Sequence, residues 1–440
     1  MQAGDIIMEM NSKGMAQGDR TPNELTSYVS DNLRGDPGTT CVLKLERPTA
    51  DSTYIPMELK ITRGTIRTNP VPYYGMVDKN IGYIAISTFA IEGCSKDIKK
   101  ALIELKQQGA TSIVLDLRGN GGGLLSEAVN VVNFFVPKGK EIVVTKGKIK
   151  QAGSTYKTSN EPIDMEIPLT VLVDGATASA AEIVSGSLQD LDRAVIVGNR
   201  TYGKGLVQVP RELPYNSSMK VTTAKYYIPS GRCIQAIDYA KRNADGSVAR
   251  IPDSLTTVFH TAAGREVRDG GGIRPDVEVK AERFPNIMFY LLNDDMIFDY
   301  ATQYCIKHPN IGEVKDFSVT DADYDDFKQM LKKRNFTYDR QSEKSLKNLK
   351  EIAEFEGYME GASEEFAALE KKLTHNLDHE LNRFSKQIRK AIAEEIVKRH
   401  YFQRGVILER MKDDADLTKA IETLKDKEGY TKILSVPADK

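Results

Sequence analysis

Cysteine is scarce in this chain. Cys41, Cys94, Cys233 and Cys305 are the only four in 440 residues, and no two of them form a CxxC pair. That spacing argues against a zinc ribbon or a thioredoxin-type site and excludes a dense disulfide framework; four small core residues are the plain expectation, with one disulfide left open. An excess of charge is missing too. The 61 Lys and Arg meet 62 Asp and Glu, a formal net charge of -1, so no basic field draws nucleic acid. No apolar run approaches the ~18 residues that span a bilayer. The longest, Ala128 to Val136, is interrupted by Asn130 and Asn133. No signal peptide opens the chain, which begins Met1-Gln-Ala-Gly-Asp-Ile-Ile, already inside what reads as a strand; an N-terminally incomplete sequence is expected.

Three cofactor signatures are approached and missed. Gly198 to Lys204 satisfies G-x-x-x-x-G-K, but Gly205 follows where a P-loop needs Ser or Thr to hold Mg²⁺. Gly119 to Gly123 would need a further glycine at Leu124 to bind a dinucleotide. His375 and His379 have zincin spacing, but Asn376 stands where the motif needs Glu. The reading therefore calls for no metal, nucleotide or other cofactor.

The pattern along the chain divides it in three. Residues 1–49 read strand, helix, strand, with Thr21-Pro-Asn-Glu-Leu25 opening the helix and Pro48 closing the second strand. So small a piece cannot bury much core alone, and is expected to lean on another part or to lack its first half. Residues 50–285 alternate strand and helix, the signature of an α/β layer structure. Residues 286–440 lose glycine and gain Glu, Lys and Leu at helical spacing. There the stripe Phe366, Leu369, Leu373 and Leu377 reads as core packing, with at least one long helix between Ser363, a possible cap, and Tyr401.

Chemistry concentrates in three segments. In Val173-Asp-Gly-Ala-Thr-Ala-Ser179-Ala-Ala-Glu-Ile-Val a buried strand passes through small residues into a helix. A serine there meets backbone N–H groups and the positive end of a helix dipole, which favour an oxyanion. The Ala180 N–H is a natural donor to it. Taken alone, Ser179 could equally be an ordinary cap. The second segment is Gly198-Asn-Arg-Thr-Tyr-Gly203-Lys204-Gly205-Leu-Val-Gln208. A lysine serves as base only when neutral, which asks for a fall of over three pKa units from about 10.4, supplied by burial. Glycines on either side let neighbouring backbone approach Lys204, and the neutral amide of Gln208 can orient an amine without keeping it protonated. Residues four apart on a flat strand stand ~13 Å apart, so contact between Lys204 and Gln208 requires a bend, expected at Gly205. The third is Asp116-Leu-Arg-Gly-Asn-Gly-Gly-Gly123 at the end of a strand, where open α/β sheets tend to carry function.

Together, in this order, the segments resemble the C-terminal processing peptidases, or tail-specific proteases, of family S41. Asp116 to Gly123 matches the family's D-L-R-x-N-x-G-G, Ala178 to Ile183 its A-S-A-x-E-I, and Thr201 to Gln208 its T-(F/Y)-G-K-G-x-V-Q. The resemblance implies an α/β serine peptidase core with Ser179 as nucleophile, Lys204 as base and Gln208 as its orienter. It implies the N–H groups of Ala180 and Gly122 as oxyanion donors. Residues 1–49, with Gly4-Asp-Ile-Ile7 and Arg34-Gly-Asp-Pro-Gly-Thr39, look like the second half of the family's PDZ domain. The implied activity is ATP-independent cleavage of proteins with accessible C-terminal tails, in the periplasm or cell envelope, with the all-helical extension supporting a homodimer. The rival from another class is a catalytically idle scaffold built from the PDZ-like and helical parts.

Overall fold

The computed structural model describes the chain except residues 16–17, 52, 149–152, 243–247, 281, 283, 374–375 and 436–440. His375, weighed above as a zinc ligand, lies outside the described residues. Two compact units emerge, each made of two chain segments: Met1–Ile66 with Glu282–Lys412, and Arg67–Ala281 with Asp413–Lys440.

In the first unit, strands Lys13–Gly14, Ile6–Met10, Thr40–Pro48 and Tyr54–Thr62 form one antiparallel sheet in that order. The helix Pro22–Leu33 starts as expected. Thr21 and Glu24 cap it reciprocally, and Pro22 needs no hydrogen bond at the first position. Met10, Met15, Cys41, Leu43 and Leu45 form its small core. A boundary at residue 49 would cut this sheet through a hairpin. Tyr54–Thr62 pairs along all of Thr40–Pro48, and its Pro56 is accommodated because the strand lies at the sheet edge.

The helical part of this unit runs from Asn286 to Met411. No single long helix joins Ser363 to Tyr401. Met359–Leu373, Leu377–Arg383 and Ser385–Met411 are separate helices, with Asn376 capping the second and a non-helical backbone at Phe402 inside the third. Of the stripe read as core, only Leu377 packs, half-buried, against the helical core. Met359–Leu373 buries no residue, and Leu369 is exposed. The helical core comes instead from residues such as Ile287, Leu291, Phe327, Leu331, Ile388 and Ile396.

The second unit is a mixed α/β structure around a six-stranded sheet. Its strand order is Val277–Glu278, Val195–Gly198, Leu169–Val173, Ser112–Asp116, Ile81–Ala85 and Tyr73–Asp78, parallel except for the last pair. The middle strands are buried throughout, which explains their unbroken apolar runs, Ile113-Val-Leu115 and Val171-Leu-Val173. Helices Cys94–Gln107, Leu125–Val132 and Ala180–Asp190 pack side by side. The helix Ala415–Lys425 packs on three strands of the same sheet, and the segment Asp413–Lys440 clusters with the α/β unit. A parallel sheet needs apolar cover on both faces, and Leu417, Ala420 and Leu424 are buried there. Tyr430 adds a fastening: its hydroxyl donates to the Leu169 carbonyl and accepts from the Leu169 N–H. A second, antiparallel sheet joins Leu206–Leu213, Ser217–Tyr227, Glu141–Gly147 and Ser154–Lys157. All four cysteines are free, Cys41 and Cys94 buried and the others half-buried. Among the described residues no helix is long and apolar enough to cross a membrane.

Candidate active site

The three segments converge because they leave the C-terminal ends of three neighbouring strands: Ser112–Asp116, Leu169–Val173 and Val195–Gly198. Side chains and backbone then knit the loops together. Asp174 accepts from the N–H groups of Gly119, Ala176 and Thr177. Thr177 Oγ1 donates to the Leu117 carbonyl, and the Ala178 N–H donates to the Asn120 carbonyl. The Tyr202 N–H reaches the Thr177 carbonyl at 3.0 Å.

Ser179 stands at the N-terminus of helix Ala180–Asp190 with φ 57 and ψ -116. This is a costly backbone for a residue with a Cβ, and such strain persists only where the surroundings impose it. Gly122 is pressed against this turn. A Cβ there would lie 2.8 Å from both Ala180 N and Ser179 Cβ and 2.7 Å from the Ala178 carbonyl, and its φ of +97 also favours glycine. Ser179, Ala180 and Gly122 are therefore brought together. One expected detail differs: the Gly122 N–H donates to Asn120 Oδ1 at 2.9 Å instead of standing open to the site. The reason is local, since a buried Asn side chain closes a turn on the N–H two residues later.

Lys204 is half-buried and Gln208 exposed, and both line a cleft of about 570 Å³ with Gly121, Ala178, Tyr202 and Gln235. The glycines beside Lys204 admit a neighbouring chain as their small size requires. A Cβ on Gly203 would meet Ala236 Cβ at 2.2 Å, and one on Gly205 would meet Gln235 N at 2.8 Å. Gln235 Oε1 accepts the Gly205 N–H, and the Gly203 carbonyl accepts the Ala236 N–H. Within the strand Leu206–Leu213 the pairing register shifts between Val207 and Gln208.

Reading the sequence for nucleophile and base passed over Glu182. Its carboxylate is wholly buried and takes four donors. Oε1 accepts from Thr201 Oγ1 at 2.5 Å and Gly203 N at 2.8 Å; Oε2 accepts from Ser179 N at 2.8 Å and Lys204 N at 2.9 Å. One side chain thus fixes the serine turn to the lysine loop. Burial pushes its carboxyl up, against the pull of those four bonds. The available signal was its place three residues after Ser179, where an acidic side chain reaches back to the helix start.

A second acidic device holds the Asp116 loop. Arg118 pairs with Asp116 at 2.6 Å, Asp414 at 2.7 Å and Asp416 at 3.1 Å, and Tyr83 donates to Asp116 at 2.6 Å. Burial alone would lower the guanidinium's pKa; the carboxylates of Asp116 and Asp414 outweigh it. Asp414 and Asp416 come from the C-terminal segment, almost 300 residues away along the chain.

Residues 80–241, which carry all three loops, match the model of peptidase family S41. The α/β core belongs to peptidase family S41. Residues 287–424 match a second model, described as "Probable PDZ-protease, C-terminal helical domain". Among curated proteins, the S41 core is similar to the carboxy-terminal-processing protease of Bartonella bacilliformis, 37% identical over 241 residues, covering 53% of this chain and 52% of that one. It is also similar to the carboxyl-terminal-processing protease of Picosynechococcus, 40% identical over 200 residues, covering 45% and 46%. The chain spans about half the length of the curated relatives it matches. Among solved structures, the photosystem II D1 C-terminal processing protease is 28% identical, covers 65% of each chain and has a TM-score of 0.38.

Proposed function

We propose that this chain is a serine endopeptidase that cleaves protein substrates near their C-termini without ATP. Ser179 attacks the scissile carbonyl, Lys204 takes its proton, and the Gln208 amide orients the lysine amine. The Ala180 N–H stabilises the oxyanion; the Gly122 N–H joins it only by releasing Asn120. Lys204 then protonates the leaving amine, and water resolves the acyl-enzyme. One observation carries the reading. A serine held in a strained turn at a helix N-terminus, with a glycine against it, is tied through Glu182 to the backbone of a lysine that lines the adjoining cleft.

The C-terminal specificity rests on the names of the relatives, both carboxyl-terminal-processing proteases. We further read residues 1–49 as part of a PDZ domain that recruits tails, the location as periplasm or envelope, and the helical part as a support for a homodimer. The test is labelling with a fluorophosphonate together with cleavage of a protein bearing an unstructured C-terminal tail. Ser179→Ala and Lys204→Ala should each abolish cleavage. Lys204→Arg should fail as well, because guanidinium stays charged. An unlabelled Ser179 in a folded, full chain refutes the peptidase reading and favours the scaffold.

A further inference from the structure

Lys204 stands between two glycines in residues 201–205, a stretch without regular secondary structure. Glycine leaves a backbone freer than any other residue does, so the lysine must be held by something outside the stretch. The hold is on its main chain, where all four polar groups of Lys204 and Gly205 are paired. The Lys204 N–H donates to Glu182 Oε2 at 2.9 Å, and the Lys204 carbonyl accepts from the Tyr226 hydroxyl. The Gly205 N–H donates to Gln235 Oε1 at 2.7 Å, and the Gly205 carbonyl accepts from the Tyr226 N–H at 3.1 Å. Gln235 precedes the strand Ile237–Arg242 and is buried, 6% exposed. Its amide has one workable orientation. The oxygen must face the Gly205 N–H, and the NH₂ then donates to the Ile237 carbonyl at 3.0 Å. A buried side chain tied at both ends is a firm anchor, and this one lines the same cleft as Lys204 and Gln208.

We propose that Gln235 is a positioning residue of this site, its side chain fixing the peptide between Lys204 and Gly205 and so the direction in which the lysine side chain enters the cleft. The proposal rests on the peptidase reading above. Glu182 bonds the peptide that leads into the lysine, and Gln235 bonds the one that follows it. An uncharged amide does this without bringing to the cleft a further carboxylate, which would favour a protonated amine.

The experiment is Gln235→Met in the full chain, which keeps the length of the side chain and deletes both of its hydrogen bonds. We expect kcat to fall roughly tenfold or more, about what one buried hydrogen bond supplies, with KM little changed. The rate of Ser179 labelling by fluorophosphonate should fall in parallel. A purely structural role would lower the melting temperature and leave the labelling rate of the folded fraction alone; that result overturns the proposal, as does an unchanged kcat. Gln235→Glu keeps an oxygen for the Gly205 N–H and adds a negative charge beside the lysine loop. Its labelling profile should move to higher pH, because a nearby carboxylate favours a cation. Glu182, Tyr202, Tyr226 and Tyr239, the titratable groups on the loop and in the cleft, are the same in every variant, so the displacement reports position 235. A superimposable profile overturns the role. Hydrogen exchange on the native chain needs no variant to fold: the Gly205 amide should exchange slowly with deuterium, and rapid exchange overturns the proposal. Native labelling also separates the two levels of inference. Labelling at Ser179 with unaffected variants sinks only the role of Gln235, whereas no native labelling sinks the peptidase reading and this role with it.

Discussion

Replacing Glu182 by Gln changes one atom in the middle of the site, and the structure fixes what that atom must do. The carboxylate offers two oxygens to four donors. An amide offers one oxygen. With its NH₂ at the Oε1 position, the Thr201 hydroxyl can turn and accept, but the Gly203 N–H meets another donor. With NH₂ at the Oε2 position, both the Ser179 and Lys204 N–H groups meet a donor. The first orientation is the cheaper and strands one buried N–H, at about 1–3 kcal/mol. Part of this is returned, because a neutral amide no longer suffers the burial that pushes the Glu182 carboxyl up. A net loss of ~1–2 kcal/mol in a unit of this size lowers the melting temperature by roughly 2–8 °C. Glu182→Ala strands all four donors and should cost more than the amide. Cleavage should suffer in both variants, since the Ser179 turn and the Lys204 loop lose a shared anchor. Differential scanning calorimetry and steady-state cleavage measure the two effects. A Gln variant that melts within about 1 °C of the native chain and keeps its kcat would refute the claim that this carboxylate joins the two loops.

Gly122→Ala should abolish Ser179 labelling while the chain stays folded, because the new Cβ falls 2.8 Å from Ala180 N and from Ser179 Cβ at a φ of +97; normal labelling would remove Gly122 from the site. Ending the chain at Lys412 should leave it insoluble or lower its melting temperature sharply. It strips buried Leu417 and Leu424 from the sheet, roughly 1.5–3 kcal/mol each, and takes two of the three carboxylates from Arg118. An unchanged melting curve would show that the segment is dispensable. Thiol alkylation of the native chain should be slow at Cys94 and Cys305, whose thiols burial pushes up to about 12 and about 11, and fast once urea unfolds the chain. Rapid native modification at Cys94 would contradict its burial.

Much of the site was legible because its chemistry is written in short contiguous stretches. The periodicity of Leu169–Val173 and the small residues after it located the turn before helix Ala180–Asp190. Glycines beside Lys204 declared close packing before any neighbour was known. What could not be read was which neighbour. Nothing local in Glu182 says that it will accept from Gly203 and Lys204. Nothing in Tyr226, at the end of an alternating strand, says that its hydroxyl will donate to the Lys204 carbonyl. Nor does a run of Glu, Lys and Leu disclose that Asp414 will meet Arg118. Boundaries failed for the same reason: Pro48 ends a strand in sequence, yet the next strand returns to pair with it.

By itself the sequence determined most of the strands of the α/β layer, several helix starts and the candidates for the reactive side chains, because those follow from local propensity, periodicity and the chemistry of each residue type. Tertiary structure alone decided which buried groups meet. A parallel sheet gathers the ends of strands scattered along the chain, and the donors and acceptors stranded there must find one another across that distance.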